Sequence, residues 1–318
     1  KNLFQDKVGL PVADVYDSWG NITTPTTVVS DSYLQQQSEK TTSYAFNVYA
    51  NYEFNLKQKH NFNIMLGANA EGEEFYWHRS KKMGLLNPNQ PEFGLANGTQ
   101  TVDGRHVHSA TAGYFGRINY NWNEIWLLEL NGRFDGSSSF PSKDRWAFFP
   151  SASVGYRFSQ EGYFDKLRTI INNGKLRASL GEIGNEAVGE DMFISTISTV
   201  DNRYWLDSEG NLMTMYNVPS LVSSSLTWER IRTLDLGIDL GFLNNELNVS
   251  FDWYQRKTLD MLAPGVTLPD VLGTKEPYTN AGSLRTRGWE LNLSWNHRFG
   301  DFNVYASGNL SDYETVLT

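Results

Sequence analysis

Residues 44–56 read YAFNVYANYEFNL, and their alternation decides the fold. Apolar side chains occupy every even position from Tyr44 to Leu56, while the odd positions are mostly Asn and Glu. A period of two places successive side chains on opposite faces of a β-strand, so this stretch predicts a strand with one apolar and one polar face. After a short polar turn, residues 61–69 repeat the pattern.

The same alternation recurs along the rest of the chain. It predicts ten strands in all, at residues 44–56, 61–69, 114–122, 126–135, 148–158, 175–180, 233–242, 247–254, 289–296 and 302–310. An all-β, antiparallel, up-and-down arrangement follows from strands that succeed one another in this way.

Connection lengths alternate between short and long. Within successive pairs of strands most connections are short, at 57–61, 123–124, 243–246 and 298–301. One is longer, 159–173, and is expected to contain a short helix around Phe164–Ile171. Between pairs the connections are long, at 79–109, 136–145, 184–226 and 257–287. Short turns at one end and long loops at the other are typical of a bacterial outer-membrane β-barrel.

Aromatic side chains concentrate beside the short turns. They occupy the alternate positions of each strand that carry apolar residues, here called the apolar parity, while the positions between them form the polar parity. The aromatic residues are Tyr52, Phe54, Tyr120, Trp122, Trp126, Tyr156, Phe158, Phe242 and Phe302. Tyr and Trp gather at membrane–water interfaces because they combine an apolar body with a polar tip. This row therefore predicts the periplasmic aromatic girdle of a multi-pass barrel in the outer membrane, in contact with lipid.

Composition narrows the alternatives. The 318 residues include 14% aromatics but no Cys, and the net charge is −9. The absence of Cys excludes a disulfide scaffold or a thiolate metal site, and the acidic balance argues against a nucleic-acid partner. A soluble β-sandwich also alternates, but it explains neither the rhythm of the connections nor the aromatic row.

Four stretches carry a family resemblance. They are RFDGSSSFPSKDRWAFFPSASVGYRFSQE at Arg133–Glu161, LRASLGEIGN at Leu176–Asn185, WERIRTLDLGIDLGFLNNELNVSFDWYQRKTLDML at Trp228–Leu262, and TNAGSLRTRGWELNLSW at Thr279–Trp295. In this order and spacing the chain resembles the SusC/RagA family of TonB-linked outer-membrane transporters.

The resemblance implies more than the periodicity does. It implies a 22-stranded barrel with an N-terminal plug, of which residues 1–318 would be a fragment of the barrel domain without the plug and the closing C-terminal strands. It also implies a SusD-like surface lipoprotein as a lid. The substrates would be oligosaccharides or peptides, and energy would come from TonB–ExbB–ExbD through the absent N-terminal part.

Two segments are candidate ligand sites. Glu73, Tyr76 and Trp77 combine carboxylates with aromatic faces, which suits sugar hydroxyls and rings; a calcium site or a solvated strand extension are the alternatives. The longest loop offers Asp201, Asn202, Tyr204 and Trp205, a mixture suited to sugar recognition, to a lid interface or to packing within the loop.

The sequence predicts neither an enzyme nor a cofactor. Ser137–Ser139 has no nearby His, so a tight loop explains it better than a nucleophile. His106 and His108 share a strand face, but two ligands are too few for a metal site, so no metal is expected. The charged residues on the polar parity are expected to form mixed-sign ladders across neighbouring strands and to contact the plug.

Three functions remain open at this stage. The first is a SusC-like importer of oligosaccharides, with peptides as the next substrate class. The second is a TonB-dependent siderophore, haem or cobalamin receptor, against which the family-like stretches count. The third is a structural or adhesion barrel that transports nothing.

Overall fold

The computed structural model describes residues 2–9, 12–16, 22–27, 32–87, 89–186, 188–189, 192–197, 199–200, 206, 208–210, 213, 215–265, 267–269, 271, 273–274 and 276–318. Within these ranges the chain forms fifteen strands. They are β1 (Asn2–Gly9), β2 (Val12–Tyr16), β3 (Ile22–Thr27), β4 (Tyr33–Leu56), β5 (His60–Met83), β6 (Gln100–Trp122), β7 (Trp126–Ser137), β8 (Trp146–Tyr156), β9 (Ile171–Asn185), β10 (Thr199–Val200), β11 (Met215–Tyr216), β12 (Glu229–Phe242), β13 (Leu247–Pro264), β14 (Tyr278–Phe299) and β15 (Phe302–Leu317).

Eleven of these strands form one sheet in the order β1-β4-β5-β6-β7-β8-β9-β12-β13-β14-β15. From β6 to β15 the pairings in this sheet are antiparallel, each strand with the next in the sheet order, and β9 therefore pairs with β12. All ten predicted strands are thereby confirmed, as β4 to β9 and β12 to β15. The pairing of β1 with β4 was not predicted, and β2–β3 and β10–β11 are small separate hairpins.

The chain divides into two compact units. The first unit comprises Lys1–Ala45 and Glu71–Ala110, and the second comprises Phe46–Ala70 and Thr111–Thr318. The first unit has a small core of its own, made by Leu34, Leu85 and Ala96 with Phe93 packed against it. Most of the paired strand length belongs to the second unit.

The short connections are tight turns with left-handed backbone. Positive φ angles occur at Lys57, Gln58, Asn123 and Glu124, and again along the turn that begins at Leu243. Such turns match the right-handed twist of the strands that they join. The prediction of short connections at these points is confirmed.

Two of the long connections are much shorter than predicted. Strand β5 continues to Met83 and β6 begins at Gln100, so the predicted loop 79–109 shrinks to residues 84–99. In the same way β13 extends to Pro264 and β14 begins at Tyr278. Backbone pairing continues past the point where the apolar alternation stops.

The predicted short helix around Phe164–Ile171 is wrong, because 3₁₀ helices and turns take its place. The segment contains the 3₁₀ helices Phe158–Gln160 and Gly162–Phe164, followed by hydrogen-bonded turns up to Ile170. Leu167 and Ile170 are 50% and 63% exposed, so this short segment has too little packing to support an α-helix. No helix in the described ranges is long and apolar enough to cross a membrane.

The two faces of the sheet differ as the alternation predicted. Leu236 pairs with Trp253 and Ile238 with Phe251 on one face, yet Leu236 and Phe251 are 45% and 39% exposed. Only eleven apolar side chains are buried in the described part of the chain, and these strand residues are not among them. An apolar face of this size left uncovered requires apolar surroundings.

Ring stacking joins the aromatic residues beside the tight turns. Phe54 stacks on Phe62 at 4.9 Å between ring centroids, and Trp126 stacks on Tyr156 at 4.3 Å. Phe158 departs from the predicted row, because it lies in a 3₁₀ helix and packs edge-on against Phe164. The other predicted residues lie on strands, within a few residues of a turn.

Candidate functional site

The three predicted residues on β5 do not share one surface. Neighbouring side chains of a strand point to opposite faces, so Tyr76 lies opposite Glu73 and Trp77. The Tyr76 ring lies 5.9 Å from the His106 ring, whereas the Trp77 ring lies 5.7 Å from the Arg79 guanidinium. The predicted cluster therefore becomes two separate surfaces, and its role in ligand binding stays a prediction.

The Trp77 surface combines an aromatic ring with an ion pair that contains both a hydrogen-bond donor and an acceptor. Arg79 Nη2 donates to Asp103 Oδ2 at 3.0 Å, and both side chains remain well exposed. A ring face for stacking, a guanidinium that donates and a carboxylate that accepts are the groups that orient a sugar or a peptide backbone. Glu73 shares the parity of this surface and is also exposed.

The Tyr76 surface has a different chemistry. His106 Nε2 donates to Glu74 Oε1 at 2.7 Å, and the His108 ring lies 4.3 Å from the His106 ring. The hydrogen bond from His106 holds the pKa of Glu74 below its usual value, and the nearby His108 and Lys40 act in the same direction. Glu74 therefore stays ionised beside two imidazoles.

Asp201, Asn202, Tyr204 and Trp205 lie outside the residues that the structure describes. Their assignment to ligand or lid stays a prediction.

The Ser137–Ser139 segment is a tight loop, as expected, in which Ser139 N donates to Ser137 Oγ at 3.2 Å.

A polar groove lies in the second unit. Its volume is about 770 Å³, and most of its polar lining comes from odd positions of neighbouring strands. The polar lining consists of Glu53, Asn55, Asn61, Asn63, Asn119, Asn121, Glu129, Ser153, Lys175, Arg177, Ser179 and Asp235. Asn63 Nδ2 donates to Glu53 Oε1 at 2.6 Å, so this amide is held against this carboxylate. A lining of amides and mixed charges can both donate and accept hydrogen bonds.

An ion-pair ladder crosses three strands on the polar face. Arg177 on β9 donates to Asp239 on β12 and to Asp252 on β13, each at 2.8 Å, and Ser250 Oγ donates to Asp239 at 2.8 Å. Gly237 pairs with both Arg177 and Asp252, and a Cβ there would lie 2.3 Å from Asp252 Oδ1. The glycine leaves the space through which the guanidinium reaches across β12. Mixed-sign ladders were predicted for this face, but the part played by Gly237 was not.

A buried aromatic group, here called the loop cluster, was also missed. Phe140, Ala147, Phe149, Leu226 and Trp228 pack together, and Phe140 is fully buried. The Trp228 ring lies 5.0 Å from Phe140 and 5.4 Å from Phe149, and its Nε1 donates to the Arg145 carbonyl at 2.9 Å. The cluster joins the β7–β8 connection to the residues that precede β12. The signal in the sequence was Phe149, an aromatic residue on the polar parity of β8.

Comparison with known proteins gives a consistent result. Residues 4–316 match the family model described as "TonB dependent receptor-like, beta-barrel". The TonB-dependent receptor SusC of Bacteroides thetaiotaomicron is 29% identical over 298 residues, which cover 85% of this chain and 28% of that protein. The TonB-dependent receptor P26 of Formosa agariphila is 29% identical over 270 residues, covering 84% of this chain and 27% of that protein. The chain thus spans just over a quarter of the length of these relatives.

A solved structure shares the architecture. The RagAB peptide importer in its "open-open" state superposes with a TM-score of 0.77 at 25% identity, over all of this chain and 33% of that one.

Proposed function

The chain belongs to the TonB-dependent receptor-like β-barrel family and is an outer-membrane barrel of the SusC and RagA type, and on that premise we propose that the whole protein imports oligomeric nutrients. Oligosaccharides are the first substrate class, and oligopeptides are the second. TonB–ExbB–ExbD supplies the energy through a part of the protein outside these 318 residues. A SusD-like surface lipoprotein covers the end with the long connections.

The observation that carries the proposal is the polar face of the sheet. In a barrel whose apolar face meets lipid, the opposite face lines the interior. The polar groove on that face presents amides and charges of both signs rather than a field of one sign. Oligosaccharides and peptides are rich in groups that both donate and accept hydrogen bonds, so they suit such a lining better than a compact anion does.

The Trp77 surface supports the preference for an oligomer that contains rings. In the first unit the Arg79 guanidinium lies over the half-buried Trp77 ring and also pairs with Asp103. Stacking on a sugar ring or a peptide side chain uses the ring, and the ion pair supplies directional hydrogen bonds. The similarity to a peptide importer keeps peptides as the second class.

Growth tests the substrate class. The gene is deleted in the native host, and growth is measured with oligosaccharides, with peptides, and under iron limitation. Loss of growth on one oligosaccharide or peptide class, restored by the gene, supports import of that class. Loss only under iron limitation would show a siderophore receptor, and unchanged growth in all conditions would show a barrel that imports none of these nutrients.

Purification tests the partner. A tag is placed on the complete barrel, which is isolated from native membranes in mild detergent. A surface lipoprotein should co-purify at about one copy per barrel. Recovery of the barrel alone, in a preparation that still binds its nutrient, would contradict the lid.

A further inference from the structure

Three potential metal ligands meet on the hairpin formed by β5 and β6. Glu74 comes from β5, and His106 and His108 come from β6, all within the first unit. Their ligand atoms all lie within 4.8 Å of one another. The sequence alone offered only the two histidines, because the third ligand comes from a different strand.

The backbone holds the three residues on one face. His106 and His108 are two apart, so both project from the same side of β6. Val107 between them is 5% exposed on the opposite side, which anchors the strand there. The ligand side chains themselves are exposed and free to adjust their rotamers.

The distances suit a small divalent cation. Zinc binds imidazole nitrogen and carboxylate oxygen at about 2.0–2.2 Å, so tetrahedral ligand atoms lie roughly 3.4 Å apart. The 2.7 Å separation of His106 Nε2 and Glu74 Oε1 would have to widen to this value, and no ligand atom is more than 4.8 Å from another, so side-chain movements of about an ångström suffice. Metal binding would replace the hydrogen bond between His106 Nε2 and Glu74 Oε1.

We propose that Glu74, His106 and His108 form a binding site for a first-row divalent cation such as Zn²⁺. Two imidazoles and one carboxylate are ligands that Zn²⁺, Ni²⁺ and Cu²⁺ prefer, whereas Ca²⁺ and Mg²⁺ prefer sets made entirely of oxygen. Three protein ligands leave a fourth position for water or for a group on another molecule. The site lies on the opposite strand face from the Trp77 surface, because Glu74, His106 and His108 are at even positions and Trp77, Arg79 and Asp103 are at odd ones.

Bound metal would tie β5 to β6. Lys40 is the competing cation near Glu74, and the Tyr76 and His78 rings flank the site on the same parity without joining the ligand group. To bind, the cation therefore has to break only the His106–Glu74 hydrogen bond and to compete with the solvent-screened charge of Lys40. Both of these are weak at an exposed position.

Calorimetry with Zn²⁺ alone tests the site. The complete protein is purified in detergent with a tag that lacks histidine, and it is titrated beside E74Q, H106Q and H108Q. We expect one Zn²⁺ per chain. Each substitution should weaken Zn²⁺ binding at least about tenfold. Even the loss of a residue that only hydrogen-bonds to a metal ligand lowers metal affinity by roughly 10- to 100-fold. Absorption at the zinc edge should report two imidazole ligands.

His78→Gln is the matched control, because it removes an exposed histidine on the same parity of β5. It should leave Zn²⁺ binding unchanged. Retention of β-structure by circular dichroism confirms that each variant is folded. The proposal fails if the unaltered protein binds no Zn²⁺ at 100-fold molar excess, or if H106Q and H108Q bind it as tightly as H78Q does.

Discussion

Replacing Phe149 by Ala should release the connection before β8. Phe149 is 5% exposed and packs edge-on against Trp228 within the loop cluster. Truncation of a buried Phe costs about 3–5 kcal/mol through lost burial and the cavity that remains. The cluster is small and can relax, so we expect about 3 kcal/mol.

That energy converts into a measurable change in hydrogen exchange. Hydrogen exchange of a locally opened segment follows its opening equilibrium, and each 1.4 kcal/mol is a factor of ten. The amides at residues 138–145 and 220–228 should therefore exchange roughly 100-fold faster in F149A. The paired amides of β13 and β14 near Leu247 and Trp295 should be unaffected, because they lie at the opposite end of these strands from Leu262, which packs against the cluster.

Phe148→Ala is the control for this experiment. Phe148 is adjacent in sequence but lies on the opposite face, where it is 53% exposed. Its loss should leave exchange in the two loop segments within about twofold of the unaltered protein. Equal acceleration in F148A and F149A, or none in F149A, would refute the assignment of Phe149 to a structural cluster.

Two other substitutions test the polar face and the Trp77 surface. Gly237→Ala places a Cβ 2.3 Å from Asp252 Oδ1 and should lower barrel stability by about 1–3 kcal/mol through overpacking, measured as the unfolding midpoint by circular dichroism. Gly162→Ala, with nothing within 4 Å of its Cβ, is the control, and equal midpoints would contradict the ladder. Trp77→Ala should weaken nutrient binding about 2- to 12-fold, the value of an aromatic contact worth roughly 0.5–1.5 kcal/mol. Tyr76→Ala, on the opposite face, should leave nutrient binding unchanged. Equal losses of binding in the two variants would mean that the two surfaces act together.

The sequence predicted the strands where one face must be apolar. Leu236, Ile238 and Leu240 alternate with polar residues because only one side of β12 meets an apolar environment. The same reasoning under-predicted the ends of β5, β6, β13 and β14. Where both faces meet water, no alternation is required, and backbone hydrogen bonds continue the pairing without a signal in the side chains.

The sites were harder to predict, because their residues meet across strands. Glu74 and His106 are 32 positions apart, and their contact depends on the register of β5 against β6. Gly237 matters only because Arg177 and Asp252 lie on either side of it. Phe149 could have been recognised as an exception to the alternation, but its partner Trp228 lies 79 residues away and follows the longest connection of the chain.

The central claim is that the apolar face meets lipid and the polar face lines a wet interior. The chain has no Cys, so a single introduced cysteine can carry a spin label without background. Labels at positions 235, 236, 292 and 293 of the complete protein in lipid vesicles are tested for collision with oxygen and with a water-soluble nickel chelate. Labels replacing Leu236 and Leu293 should collide with oxygen, and those replacing Asp235 and Asn292 should collide with the chelate. The opposite pattern, or no alternation between neighbours, would contradict it.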